Sequence, residues 1–140
     1  MFDKNTRFLV VDDLKTIRSL MKDILKKLGF SQINEAEDGQ KALNMLKEAA
    51  DTDNPFGFII SDWNMPNKTG LSLLEDCLKD DSLKSIPFLM VTIESEREYV
   101  LRAIQMGVSD FVVKPFTAKT IEQKIRGIWI RLQSGEAPTS

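Results

Sequence analysis

Histidine is absent from the 140 residues. Its absence removes imidazole general bases, Ser-His-Asp triads, phosphohistidine carriers and most zinc sites, all of which depend on that ring. The single cysteine, Cys77, cannot form an internal disulfide, which suits a reducing compartment. It shares a helical stripe with Leu71, Leu74 and Leu78 and is expected in the core rather than as a reactive thiol. No apolar run approaches the ~20 residues that span a bilayer, and the N-terminal MFDKNTR has no apolar stretch of the signal-peptide kind. A cytoplasmic protein with no membrane insertion is expected. An excess of one charge is also lacking: the formal net charge is −2, which offers no general attraction to phosphate backbones, so nucleic acid is not an expected partner.

What is present is an ordinary globular composition, 42% hydrophobic and 29% charged, on a length that suits one domain with a proper core. Two periodicities alternate along it. RFLVV (7–11) is a short continuous apolar run. From Leu14 the residues Ile17, Leu20, Met21, Ile24, Leu25 and Leu28 follow helical spacing until Gly29 stops the helix. INEA (33–36) reads as a weak strand before a helix over 39–50, and DTDNP (51–55) as a polar loop. FGFII, PFLMVT and DFVV continue the strands. LSLLEDCLK, a segment from about Glu96 to Met106, and a last segment from about Ala118 continue the helices. Continuous apolar strands alternating with helices predict a parallel sheet covered on both faces. Right-handed crossovers make it a doubly wound α/β domain. The small polar residues of 134–140 are expected to be disordered.

In such sheets, sites form where strands end at their carboxyl edge. Those exits carry Asp12 and Asp13, then Asp62 at the end of FGFIISD, then Thr92, then Lys114. Each has an ordinary structural explanation taken alone: Asp13 as a helix cap, Thr92 as a β-branched strand residue, Lys114 as a solvated charge. The carboxylates together do not. Two of them about 4 Å apart repel by roughly 4 kcal/mol at an effective dielectric near 20, a large share of a stability of about 5–15 kcal/mol. Either the acids share protons or cations sit among them. Lys114 can neutralise one charge, and a hard divalent cation with oxygen ligands two more; Mg2+ suits this best. A carboxylate beside Mg2+, faced by an ammonium and a hydroxyl, is also a phosphoryl acceptor. Asp62 is the expected nucleophile.

FLVVDD, EAEDG, ISDWNMPN, LMVT and FVVKPF, in this order, resemble the response-regulator receiver domains, particularly the single-domain chemotaxis regulators of the CheY type. The resemblance covers about residues 5 to 133. It implies a (βα)5 fold with strand order 2-1-3-4-5, which periodicity alone does not give. It also implies phosphorylation of Asp62 by a sensor histidine kinase of the chemotaxis type or a small phosphodonor. Mg2+ would be held by Asp13, Asp62 and the Asn64 main-chain oxygen, with Asp12 acting through water. Thr92 and Lys114 match the switch hydroxyl and the phosphate-contacting lysine, and the Lys114–Pro115 bond is typically cis. The output implied is binding to the flagellar motor switch, with room for a phosphatase as a further partner. Phe111, Val100, Ile104 and Lys124 are the expected switch and partner-binding residues. On a wide apolar arc over 95–106, Val100 and Ile104 are expected to face outward beside Phe111. Catalysis would be limited to the chain's own phosphorylation and slow autodephosphorylation.

Four departures stand out from that family pattern. Phe111 replaces a common tyrosine, Ile93 stands where a small residue is usual, Thr69 replaces a common Asp before Gly70, and the loop 50–56 is longer. The alternatives are a phosphate sink or a regulator of a non-motor partner. A haloacid-dehalogenase-type phosphatase is disfavoured because Asn64, not an Asp, follows two residues after the nucleophile. A flavodoxin-like cofactor site is disfavoured because DDLKT is acidic where a flavin phosphate would sit, and no Gly-rich cradle occurs.

Overall fold

The computed structural model describes residues 1–93 and 97–135. The expected start of the fourth helix near Glu96, and the expected disorder of the tail from residue 136 on, lie outside the described residues. Strands and helices alternate as β1 (Arg7–Val11), α1 (Lys15–Lys27), β2 (Gln32–Ala36), α2 (Gly39–Ala50), β3 (Phe58–Asp62), α3 (Gly70–Lys79), β4 (Phe88–Thr92), α4 (Arg97–Met106), β5 (Asp110–Val113) and α5 (Ala118–Gln133). The strands form one sheet in the order β2-β1-β3-β4-β5, every pair parallel. This is the flavodoxin-like order.

Strand side chains alternate between faces, and here both faces are apolar. Leu9, Val11, Ile59, Phe88 and Met90 point to a cluster with residues of α2, α3 and α4. Phe8, Val10, Phe58, Ile60, Leu89 and Val91 point to a second cluster with α1 and α5. That second layer is aromatic at its centre, where the Phe8 and Phe58 rings stack at 5.0 Å. Burial on both faces is why these strands read as continuous apolar runs rather than alternating ones. Cys77 lies in the first cluster, and burial pushes its thiol pKa up to about 12, so it is a core residue.

Helix termini follow local chemistry. Asp38, Thr69 and Thr117 cap α2, α3 and α5, each accepting from the backbone N–H three residues on. Asp13 does not cap α1: the capping position is Leu14, whose N–H donates to Asp12 Oδ1. The apolar stripe of α1 is narrower than expected. Met21, Ile24 and Leu25 are buried, but Leu14 and Leu20 are exposed. Leu14 precedes the first turn, and Leu20 lies roughly 90° from the centre of the buried arc at about 100° per residue.

The arc on α4 is corrected in the same way. Val100 is only 5% exposed and does not face outward; Ile104 is half-buried against the first cluster. Val100, Ala103 and Ile104 share the inward face at helical spacing, so the residues flanking Val100 turn out instead. These are Tyr99, 47% exposed, and Leu101, 59% exposed.

Candidate functional site

The register brings the strand exits to one edge. Val11 pairs with Ser61, Asp62 with Val91, and Thr92 with Val113. Residues following β1 and β5, and those ending β3 and β4, therefore stand side by side. Oxygen atoms of Asp12, Asp13 and Asp62 all lie within 4.8 Å of one another. Lys114 Nζ stands 3.2 Å from Asp12 Oδ2 and 3.2 Å from Asp62 Oδ1. Of the five strand-exit residues named from the sequence, these four stand together, and Lys114–Pro115 is cis.

The electrostatics match the crowding. Burial, then the charge of Asp12, raises the Asp62 pKa from 3.8 to about 6, although Lys114 and the Trp63 N–H pull the other way. Burial also works against the Lys114 ammonium, but the carboxylates of Asp62 and Asp12 outweigh it and hold its pKa above the ordinary value. One ammonium among three carboxylates leaves net negative charge in a half-buried pocket. The all-oxygen donor set fits a hard cation. Asp12 and Asp62 are buried, whereas Asp13 is exposed and leaves the cluster open to solvent on one side.

The loop after β3 is held tightly. Trp63 N–H donates to Val91 O at 3.0 Å and Gly70 N–H to Trp63 O at 2.9 Å. A Cβ on Gly70 would stand 2.2 Å from Asp62 O, so only a residue without one lets α3 start this close to the acid's own backbone. The Trp63 ring is buried and stacks on Tyr99 with centroids 5.2 Å apart. That contact between the acid-bearing strand end and α4 was not anticipated from sequence. No periodic signal pairs two aromatic residues so far apart in the chain.

Thr92 is buried at the end of β4, its hydroxyl donating to Ile93 O at 3.3 Å. Beside it lies a cavity of about 380 Å³ lined by Thr92, Ile93, Val100, Ile104, Phe111 and Val113, among others. Phe111 is half-buried at its wall, and the Lys124 ammonium lies 5.3 Å from the Phe111 ring centroid while pairing with Asp110 Oδ1 at 3.3 Å. Phe111, Ile104, Val100 and the cavity are thus one neighbourhood, with Lys124 over the ring. Ile93 is exposed at its rim.

The family model for the response regulator receiver domain matches residues 8–126. This chain belongs to the response regulator receiver family. The receiver is similar to the chemotaxis protein CheY-3 of Vibrio cholerae, 43% identical over 132 residues that cover 94% of this chain and 98% of that protein. It is likewise similar to the chemotaxis protein CheY of Pseudomonas aeruginosa, 44% identical over 126 residues, covering 90% and 98% of the two chains. Among solved structures, the chemotaxis response regulator CheY4 of Vibrio cholerae superposes with a TM-score of 0.78 at 30% identity, covering 88% of this receiver and 98% of that chain. The receiver is therefore a signalling domain of the CheY type, as its sequence motifs suggested. Among the described residues, no helix is long and apolar enough to cross a membrane.

Proposed function

We propose that this receiver, spanning residues 5–133, works in the cytoplasm as a chemotaxis response regulator that accepts a phosphoryl group on Asp62. The observation that carries the reading is the position of Lys114, 3.2 Å from both Asp12 and Asp62 inside a cluster of three carboxylates. The donor is a histidine kinase of the chemotaxis type or a small acyl phosphate. An Asp62 carboxylate oxygen forms a bond to phosphorus as the donor's N–P or O–P bond breaks, and that electron pair leaves with the donor. Asp13, Asp62 and the Asn64 main-chain oxygen would hold Mg2+, with Asp12 acting through water, and the ion would supply charge neutralisation for the phosphoryl oxygens. Lys114 pairs with one of those oxygens, and the Thr92 hydroxyl turns from Ile93 O to donate to another. The chain's catalysis is confined to gaining this group and losing it slowly to water.

Output follows from the cavity beside Thr92. As Thr92 turns toward the phosphoryl group, Phe111 enters the cavity and reshapes the face of α4, β5 and α5. The tyrosine hydroxyl common at this position is missing, but the Lys124 ammonium over the ring would oppose its movement further into the cavity. Such a contact contributes about 0.5–1 kcal/mol. Phosphorylation must exceed that through its differential interaction with the two states. Ile104, Phe111 and Lys124, with Val100 at the cavity wall, form the face for the flagellar motor switch protein. The chemotaxis names of the relatives support a chemotaxis role.

The test is tryptophan fluorescence on adding beryllofluoride, with and without Mg2+, in the chain and in Asp62→Asn, with Trp129→Phe to remove background. A Mg2+-dependent change lost in Asp62→Asn is expected. No change, and no Mg2+ or beryllofluoride heat by calorimetry, overturns the phosphoacceptor reading. A normal response with no affinity for a motor-switch peptide leaves the phosphate-sink reading in its place.

A further inference from the structure

We infer that Asp38, at the start of α2 and outside the carboxylate cluster, is a positioning residue for the loop that supplies the metal's main-chain ligand. The inference rests on the proposed Mg2+ site at Asp13, Asp62 and the Asn64 carbonyl. Asn64 lies in the loop from Trp63 to Thr69, and a main-chain ligand is placed only as well as its loop is. The two ends of the loop are joined by the Gly70 N–H to Trp63 O bond. Between those ends, the first turn of α2 grips it twice. Gly39 N–H donates to Lys68 O at 3.1 Å, and the Asn67 side-chain amide donates to Asp38 Oδ2 at 2.9 Å.

The other Asp38 oxygen, Oδ1, accepts from Lys41 N–H at 2.8 Å. One buried carboxylate therefore caps α2 and clamps the loop, with a separate oxygen for each task. Asn67 has a φ of 66°, the left-handed region that non-glycine residues enter at a cost and leave unless held. The α2 turn can approach this closely because residue 39 has no side chain: a Cβ on Gly39 would stand 2.4 Å from Lys68 O. The clamp thus reaches from an element that carries no member of the acidic cluster to a residue three positions after Asn64.

The two oxygens allow the tasks to be separated. Asp38→Ser keeps a capping oxygen for Lys41 N–H but has none to reach Asn67. Asn67→Gly keeps the positive φ and loses the same contact from the other side. Mg2+ affinity is measured by calorimetry and the thermal midpoint by circular dichroism for both, for the double variant and for Asp38→Asn. Each single variant is expected to bind Mg2+ about 5- to 10-fold more weakly, the scale of one lost hydrogen bond behind a ligand. The double variant is expected to be no weaker than either single one. Asp38→Asn, whose amide can donate to a turned Asn67 side chain while its oxygen still caps, is expected to restore most of the affinity.

Unchanged affinity in both single variants, or affinity losses that add in the double variant, overturns the inference, as does a loss that only tracks the thermal midpoint. Should Asp38→Ser not fold, Asn67→Gly decides: normal Mg2+ affinity in it overturns the inference. If the wild-type chain itself bound neither Mg2+ nor beryllofluoride, the proposed function would fail first and take the inference with it. Wild-type binding with unaffected variants sinks the inference alone.

Discussion

Asp62→Asn in metal-free protein is expected to stabilise the fold at neutral pH, by an amount that grows as pH rises. The folded-state pKa of Asp62 is about 6, against an ordinary value of 3.8, chiefly through burial and then the charge of Asp12. Because the folded value is the higher one, the stability associated with the neutral carboxyl is complete below about pH 4. It is lost as pH rises through about 6. Two pKa units at about 1.4 kcal/mol each make the full span about 3 kcal/mol. Asparagine resembles the protonated acid in shape and has no such slope. The difference in unfolding free energy between Asp62→Asn and wild type should therefore be near zero around pH 4 and about 3 kcal/mol at pH 8. Urea denaturation in chelator at several pH values measures it.

Added Mg2+ gives an internal control. At about a hundred times its dissociation constant a ligand that binds only the folded state contributes about 2.7 kcal/mol, enough to offset nearly the whole penalty in wild type and not in the variant. A difference that stays flat from pH 4 to pH 8 would refute the argument, because it would mean that Asp62 titrates as an ordinary exposed carboxyl.

Thr92→Ala should still take up beryllofluoride yet bind its target weakly, since in the proposed mechanism its hydroxyl would couple the phosphoryl group to the Phe111 cavity; normal target affinity by fluorescence anisotropy sinks the coupling. Ile93, exposed at the cavity rim, is expected to hinder access to the phosphate, so Ile93→Ala should change the rates of phosphorylation by acetyl phosphate and of decay. Identical rates in the two proteins would count against it. Thr69→Ala removes the cap that accepts from Ser72 N–H at 3.1 Å and should lower stability by about 1 kcal/mol in urea melts, with Gly or Ser at the position recovering most of it.

That last residue shows where sequence reading stopped short. Thr69 had no assignable role in the sequence, although a threonine before Gly-Leu-Ser at a helix start is a capping signal. Asp38, next to Gly39 at another helix start, offered the same signal. Its second partner, Asn67, lies 29 positions away, a separation no local pattern reports. Asn67 itself carried a hint, since Asn is among the few side chains that tolerate a left-handed backbone.

The wide apolar arc of α4 was visible in the sequence, but not which part of it turned inward. Hydropathy ranks Val100 and Leu101 alike, and only the folded structure shows Val100 covered and Leu101 exposed. In the same way the Trp63–Tyr99 stack and the Lys124–Phe111 contact join residues whose types, but not whose meeting, could be read.

The sequence by itself determined the alternation of strands and helices, the burial of both sheet faces and the placing of Asp12, Asp13, Asp62, Thr92 and Lys114 at strand exits. Each of these is written in the spacing of side chains along a single element, where periodicity is a local property. The order of the strands came from the likeness of the motifs and not from periodicity, and only the tertiary structure decided the 3.2 Å bridge of Lys114 between Asp12 and Asp62 and the clamp from Asp38 to the loop after β3. Those depend on pairing between segments distant in the chain, and such contacts are selected by packing of the whole core rather than by the preference of any one segment.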